Sequence, residues 1–363
     1  MTARATDTIR YGIIGTGMMG VEHIQNLLHL DGSLVTAICD PVAESRAWAR
    51  LALGAEPVEF EHHRDLLASG LCDAVVIATP NFTHHEVMLD VLATPLHVMV
   101  EKPLCTTVEH CAEVIALAEA SPYRSRVVWM GLEYRYMPPT TAVVHAVRDG
   151  EVGRVRMVAI REHRFPFLQK VGNWNRFTRN TGGTLVEKCC HFFDLMNQIV
   201  DDVPARVLAS GAQDVNHLDE RYDGETPDIL DNAYVIVEYA HGARAMLDLC
   251  MFAEASRNEQ EISVVGDLGK VEALVTEGVV RVGRRSDGLG VTSERAVADT
   301  AVRHVGMHHG ASYLEHVGFR RAILGGTPAE VTLHDGMMAV AVGVAAHRSI
   351  ELSRPVELNE VLP

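Results

Sequence analysis

The sequence predicts an α/β protein in two parts, a doubly wound parallel sheet followed by an antiparallel one. Three observations carry this. Short apolar runs alternate with amphipathic helical patterns from Ile9 to Gly131, a glycine-rich turn follows the first run, and beyond Arg148 the runs succeed one another without helices between them. Alternation demands crossover connections and hence parallel strands, whereas strands in direct succession pair antiparallel.

In the first part, strands are predicted at Tyr11–Gly15, Leu34–Cys39, Ala74–Ala78, Leu96–Val100 and Val127–Met130. The helices between them fall at Met18–Leu30, Val42–Leu53, Thr83–Ala93 and Thr107–Ala120, each with Gly, Pro or Asp near its ends. After the Pro138–Pro139 break a helix runs through Arg148. Strands then follow at Arg154–Glu162, Ala205–Gly211, Ala233–Tyr239, Ala243–Met251, Glu261–Val265 and Lys270–Leu274. Leu185–Val200 reads as one helix, and Ser312–Leu352 as two helices interrupted by Gly325–Gly326. The expected domains are 1–132, binding a dinucleotide, and 133–363, binding substrate and serving oligomerisation, with the last helices able to pack back on the first domain.

Composition narrows the functions. A chain of 363 residues with 47% hydrophobic and 22% charged residues is too apolar for disorder. Its 32 Lys+Arg against 48 Asp+Glu leave a formal charge of −16, which repels nucleic acid and anionic lipid. The uncharged stretch Gly336–Ala346 is too short to span a bilayer. Met1–Arg10 lacks the apolar core of a secretory signal, so a cytoplasmic location is expected. Seven cysteines without a C-x-x-C suit reduced thiols, and no metal is needed to explain the pattern.

Chemistry enters at Gly15-Thr16-Gly17-Met18-Met19-Gly20, a G-x-G-x-x-G between a strand and a helix. Glycines there allow a tight turn and close backbone approach, and the helix N-terminus directs partial positive charge at a pyrophosphate. Asp40 ends the second strand, where a carboxylate accepts the adenosine ribose hydroxyls and repels a 2′-phosphate. NAD is therefore expected over NADP, with Arg46 the feature that favours NADP; Asp40 could equally cap the helix that follows it. Thr79, Pro80 and Asn81 lie at the carboxyl end of the next strand, on the edge where open α/β sheets bind ligands. Glu101-Lys102-Pro103 ends the strand after that, which puts Lys102 at the same crevice.

With these motifs, His84, the Gly131…Arg135 segment and Gly182-Gly183…His191-Phe192-Phe193-Asp194, the sequence resembles the glucose–fructose oxidoreductase and inositol dehydrogenase superfamily, Gfo/Idh/MocA, nearly end to end. The resemblance implies an N-terminal Rossmann domain and a C-terminal α/β domain whose large, mostly antiparallel sheet has an open face used for oligomerisation, as a homodimer or homotetramer. It implies oxidation or reduction of a secondary alcohol of a sugar, glycoside or cyclitol with NAD(P). The cofactor-binding set it suggests is Gly15, Gly17, Met18, Met19, Gly20, Asp40, Thr79, Pro80, Asn81, His84, Glu101 and Lys102. In the superfamily the Lys of this motif and an Asp…His pair flank the reacting carbon. Lys102 and His191 match by type, while Glu187 replaces the Asp.

Oxidising an alcohol requires removal of the hydroxyl proton as the hydride leaves, and the protein must supply the base. Lys102 is the first candidate and His191 the competing one. Glu187 and His191, four residues apart, would share a helix face; Lys188 points elsewhere as a substrate or salt-bridge contact, and Cys189 and Cys190 read as core. Gln169–Asn180 reads as a loop whose Lys170, Asn173, Trp174, Arg176 and Asn180 suit a polyhydroxylated ring. Glu133, Tyr134 and Arg135 follow a strand end and could also meet substrate, and His308 or His309 could close the pocket. Two rival functions share these motifs: NAD-dependent glycoside cleavage through transient oxidation, and non-catalytic dinucleotide sensing. Retention of both Lys102 and His191 disfavours the second.

Overall fold

The computed structural model describes residues 7–363; residues 1–6, part of the stretch read for a secretory signal, lie outside it. The chain divides into two compact units. The first takes the residues up to Glu133 together with 170–174 and 301–337, and the second takes 134–169, 175–300 and 338–363.

The first unit runs β1 (Ile9–Ile14), α1 (Met18–Leu28), β2 (Ser33–Cys39), α2 (Ala43–Leu53), β3 (Val58–Phe60), α3 (His63–Ala68), β4 (Ala74–Ile77), α4 (His84–Leu92), β5 (His97–Glu101), α5 (Val108–Ala120) and β6 (Val128–Gly131). Its strands form one parallel sheet in the order β3-β2-β1-β4-β5-β6. The order reverses between β1 and β4, so the turns leaving these two strands part to opposite faces and leave a crevice. Ile13, Ile14 and the whole of β4 are buried, as parallel strands covered by helices on both faces require.

The second unit begins with α6 (Pro138–Arg148), whose two leading prolines suit the first turn of a helix. There follow β7 (Val155–His163), α7 (Thr178–Thr181), α8 (Thr184–Glu187), α9 (Cys190–Val200), β8 (Pro204–Ala212), β9 (Asn232–Tyr239), β10 (Arg244–Cys250), β11 (Gln260–Gly266), β12 (Gly269–Leu274), β13 (Val279–Arg284) and β14 (Ser293–Ala296). Then α10 (Ala311–Gly325) returns to the first unit, α11 (Leu333–Leu352) passes from the first to the second at Met337, and β15 (Val356–Glu357) ends the series. The nine strands lie in the order β14-β13-β12-β11-β7-β10-β9-β8-β15. Every pairing is antiparallel except β7 with β10, whose connection carries three helices and two strands and so allows a crossover.

The architecture matches the expected parallel and mostly antiparallel sheets, but several elements differ. The three-residue β3, the two-residue β15, the four-residue edge strand β14 and its neighbour β13 are absent from the sequence reading, because short strands leave little periodicity to detect. Gln169–Asn180, expected as a loop, holds a 3-10 turn at Val171–Arg176 and the start of α7; Gly172 and Asn173 kink that turn with left-handed backbones. Leu185–Val200, expected as one helix, is two: the Cys189 N–H bonds back five residues to Thr184, a widened turn that breaks the regular ladder before α9. Among the described residues, no helix is long and apolar enough to cross a membrane.

Candidate active site

The glycine turn after β1 is set by steric contact. Gly15 has φ +89°, and a Cβ there would lie 2.6 Å from the Ala78 carbonyl; at Gly20 it would lie 2.0 Å from the Gly15 oxygen. Only glycine fits either place. At Gly17, by contrast, a Cβ would meet nothing within 4 Å, so the turn faces open space. Beside it the Thr16 hydroxyl is buried with no hydrogen-bond partner among the described residues. An open concave backbone with an unsatisfied hydroxyl at a helix N-terminus fits the pyrophosphate of a dinucleotide. Met18 and Met19 form the first turn of that helix and are half-buried.

Asp40 does more than the fingerprint requires. Its Oδ2 accepts from the Thr16 N–H at 2.8 Å and its Oδ1 from the Val42 N–H at 2.8 Å, tying the glycine turn to the start of α2. Both oxygens keep lone pairs for ribose hydroxyls. Arg46, the feature that favoured NADP, is engaged elsewhere: it donates to the Asp40 carbonyl and pairs with Glu59 at 3.0 Å and Glu61 at 3.3 Å. At the end of β4, the Thr83 hydroxyl donates to that of Thr79 at 2.8 Å, Pro80 forms the turn, and Asn81 is buried. His84, expected at the cofactor, sits behind this edge: it is fully buried, with Nδ1 2.8 Å from the Pro103 carbonyl and Nε2 3.0 Å from that of Thr79. Burial lowers its pKa, and the ring braces the two ligand-edge turns.

At the end of β5, Glu101 is buried and Lys102 is half-exposed, with the Lys102–Pro103 peptide cis. Glu101 meets His23 of α1 at 2.9 Å, and its other oxygen accepts from the Lys102 N–H at 3.1 Å. Burial alone would raise the Glu101 pKa, but the hydrogen bond from His23, with the charge of Lys102, brings it to about 2. Glu133, beyond β6, is buried, with Oε1 3.7 Å from His308 Nε2; His308 Nδ1 meets the Ser312 hydroxyl at 3.1 Å. Trp174 packs edge-on against Phe82, ring centroids 6.4 Å apart, with the Lys170 ammonium 5.9 Å from its ring. All these residues belong to the first unit.

The second unit carries Glu187, Lys188 and His191. Glu187 ends α8 and His191 opens α9, both buried, so the break between the helices replaces the shared face expected of them. The His191 ring stacks on that of Tyr134 at 4.0 Å and 9°. Lys188 donates to the Tyr134 hydroxyl at 2.6 Å and pairs with Glu162 at 2.9 Å, an ion pair of the kind expected of it. Sequence reasoning missed Glu162, although it occupies the inward row of β7 with Val158 and Ile160, where a charge demands a partner.

Two residues expected as substrate contacts, Arg135 and Arg176, are buried and held in ion pairs. Arg135 grips Asp194 through both carboxylate oxygens, one at 2.7 Å, and both residues are buried. Arg176 is buried, bonded to Glu220 at 2.8 Å and to the Phe167 carbonyl at 3.2 Å. Both guanidiniums hold the fold, as a fork of donors does wherever carboxylates lie within reach. Asn180 is half-buried on α7. Among the described residues, no group of three or more His, Cys, Asp or Glu could hold a metal ion.

Comparison with known proteins matches the chain in two successive parts. Residues 9–129 match a family model described as an oxidoreductase family, NAD-binding Rossmann fold, and residues 144–358 match its companion, an oxidoreductase family, C-terminal alpha/beta domain. The chain is 28% identical over 358 residues to the myo-inositol 2-dehydrogenase of Thermotoga maritima, covering 98% of this chain and 100% of that one. The crystal structure of a probable dehydrogenase from Thermotoga maritima superposes with a TM-score of 0.78 at 25% identity, covering 98% and 100% of the two chains. A levoglucosan dehydrogenase in complex with NADH and levoglucosan shares the fold with a TM-score of 0.82 at 18% identity over 97% and 99%. With a dinucleotide turn in one half, a nine-stranded mixed sheet in the other and both halves matched in order, the chain belongs to the Gfo/Idh/MocA family of NAD-binding oxidoreductases.

Proposed function

We propose that the protein oxidises a secondary alcohol of a sugar, glycoside or cyclitol. The observation that carries the reading is Lys102, a half-exposed amine at the carboxyl end of β5, on the sheet edge that also bears the glycine turn and Asp40. Gly15, Gly17 and Gly20 would hold the pyrophosphate of NAD, Asp40 the adenosine ribose, and Thr79, Pro80 and Asn81 the edge beside it. When bound, NAD supplies the hydride acceptor.

The remaining chemistry falls to side chains. Lys102 Nζ takes the hydroxyl proton as the C–H bond breaks, so that the alcohol becomes a ketone, and in reverse returns it. Ionised Glu101 fixes the peptide that carries it. His191 is the second acid/base, and Glu187, Glu133, His308 and Asn180 bind ring hydroxyls, with Trp174 covering a C–H face. Myo-inositol and levoglucosan, named for the relatives above, are polyhydroxylated rings of this kind. A site built from such groups rejects a deoxy analogue because a buried polar group loses its partner.

The test is NADH formation across cyclitols, free sugars and glycosides in cytoplasm-like buffer, with deoxy analogues of the best substrate. Deoxy analogues should lose much of kcat/KM. Equal reaction of deoxy analogues, or turnover of an apolar secondary alcohol in preference, would refute the polyol reading.

The same reading includes a homodimer or homotetramer formed through the sheet of the second unit. Met157, Leu208, Tyr234, Ile236 and Met246 are exposed on neighbouring strands, with Ile236 opposite both Leu208 and Met246. Light scattering should give a multiple of the chain mass, and Ile236→Glu should lower it; a monomeric parent would remove this part.

A further inference from the structure

Behind Glu101, a chain of buried polar contacts in the first unit continues through His23 and His316, which have no role in the reaction described above. His23 Nε2 is 2.9 Å from Glu101 Oε1, and His23 Nδ1 is 2.9 Å from His316 Nε2. The three residues come from α1, β5 and α10, and are 1%, 5% and 0% exposed in that order. The second carboxylate oxygen of Glu101 accepts from the Lys102 N–H.

The protons can be placed. Glu101 is ionised, its pKa about 2, so His23 donates from Nε2. Between His23 and His316 one proton is shared by two nitrogens. If His23 Nδ1 carried it, His316 would have to keep its own proton on Nδ1, which is buried with no hydrogen-bond partner among the described residues. An unpaired buried N–H is costly. If His316 Nε2 carries it, Nδ1 is a bare lone pair and every N–H in the chain has an acceptor. Burial and the neighbouring His23 hold the His316 pKa well below its usual value, in keeping with this neutral form.

We propose that His316 and His23 are positioning residues for the reaction, holding the Glu101 carboxylate so that it fixes the peptide of Lys102. His316 sets the tautomer of His23, His23 sets the direction of Glu101, and Glu101 sets the turn from which Lys102 projects. The inference rests on Lys102 as the acid/base. A small displacement of such a group is expensive, since a misplacement of about 1 Å can cost about 100-fold in rate.

The experiment compares His316→Leu, His316→Gln and Lys102→Ala for kcat, KM and NAD affinity. His316→Leu should lower kcat by about 10- to 100-fold with KM and NAD affinity within about twofold. His316→Gln, which offers an N–H donor where Nε2 stood, should recover most of that loss. Unchanged kcat in His316→Leu, or equal loss in both His316 variants, would overturn the proposal. Undiminished turnover in Lys102→Ala would instead overturn the Lys102 reading, whatever the His316 variants do. Should His316→Leu fail to fold, nitrogen NMR of the parent decides: a proton on His316 Nε2 supports the chain, and one on Nδ1 refutes it.

Discussion

Lys102 and Asp40 are each legible from motif position, yet the structure gives them different dependencies. Replacing Lys102 by Ala removes the proposed proton acceptor and leaves the glycine turn intact, so turnover should fall by about 100-fold or more while NAD binding stays measurable by fluorescence titration. Near-normal turnover would take Lys102 out of the reaction. Asp40→Ser should narrow the preference for NAD over NADP, compared by kcat/KM under identical conditions. It should also weaken NAD itself, because the Thr16 N–H loses its acceptor; a clear NADP preference in the parent would contradict the role given to Asp40. The sequence alone shows the carboxylate but not its bond to Thr16, which spans two separate turns. The partners of Arg135 and Arg176 are hidden for the same reason: nothing local in the sequence shows that the distant Asp194 and Glu220 face them.

Among the elements, the break between α8 and α9 could not be read from Leu185–Val200, a stretch with no Gly or Pro to interrupt a helix. It coincides with Lys188, whose partner Glu162 lies on β7. Inward alternation along β7 makes Glu162 visible as an anomaly, but nothing in the local pattern says that a lysine on another element answers it. Lys188→Met should therefore lower stability by about 3 kcal/mol, the low end for breaking a buried pair, because Arg164 and Gln260 also reach Glu162. Adding Glu162→Leu should restore much of it. Thermal unfolding measures both, and a single variant as stable as the parent would show that the pair contributes nothing net.

Across the whole molecule, acid sensitivity follows from imidazoles kept neutral by burial. His347 is lowered to about 4 by burial, and His84 and His316 are lowered for the same first reason. Unfolding exposes these rings and lets them take protons below their ordinary pKa of 6.5, so stability is full above that value and declines as pH falls toward 4. His347 alone is worth about 3 kcal/mol over the window, at about 1.4 per unit. Glu101, at about 2, adds its loss only below 4.5. Urea midpoints should accordingly drop between about pH 7 and about pH 5; a constant midpoint would refute this account. The two-sheet plan was legible because long parallel and antiparallel runs carry strong periodicity, whereas the return of 301–337 to the first unit depends on pairings that local pattern does not encode.

That return has a consequence for synthesis on the ribosome. The edge strand β6 receives part of its cover from late residues: the Met130 N–H bonds the Val331 carbonyl at 3.1 Å, and the Trp129 indole bonds Glu315 at 3.3 Å. While residues 134–300 are being translated, the emerging first unit must persist with β6 exposed and His23 lacking His316. It is then an incomplete body with an open sheet edge, the kind of nascent species on which chaperones act. A fragment ending at Glu133 should for the same reason be insoluble unless a peptide spanning 301–337 is supplied in trans, and the native turn at Lys102 is assembled only after nearly the whole chain has been made.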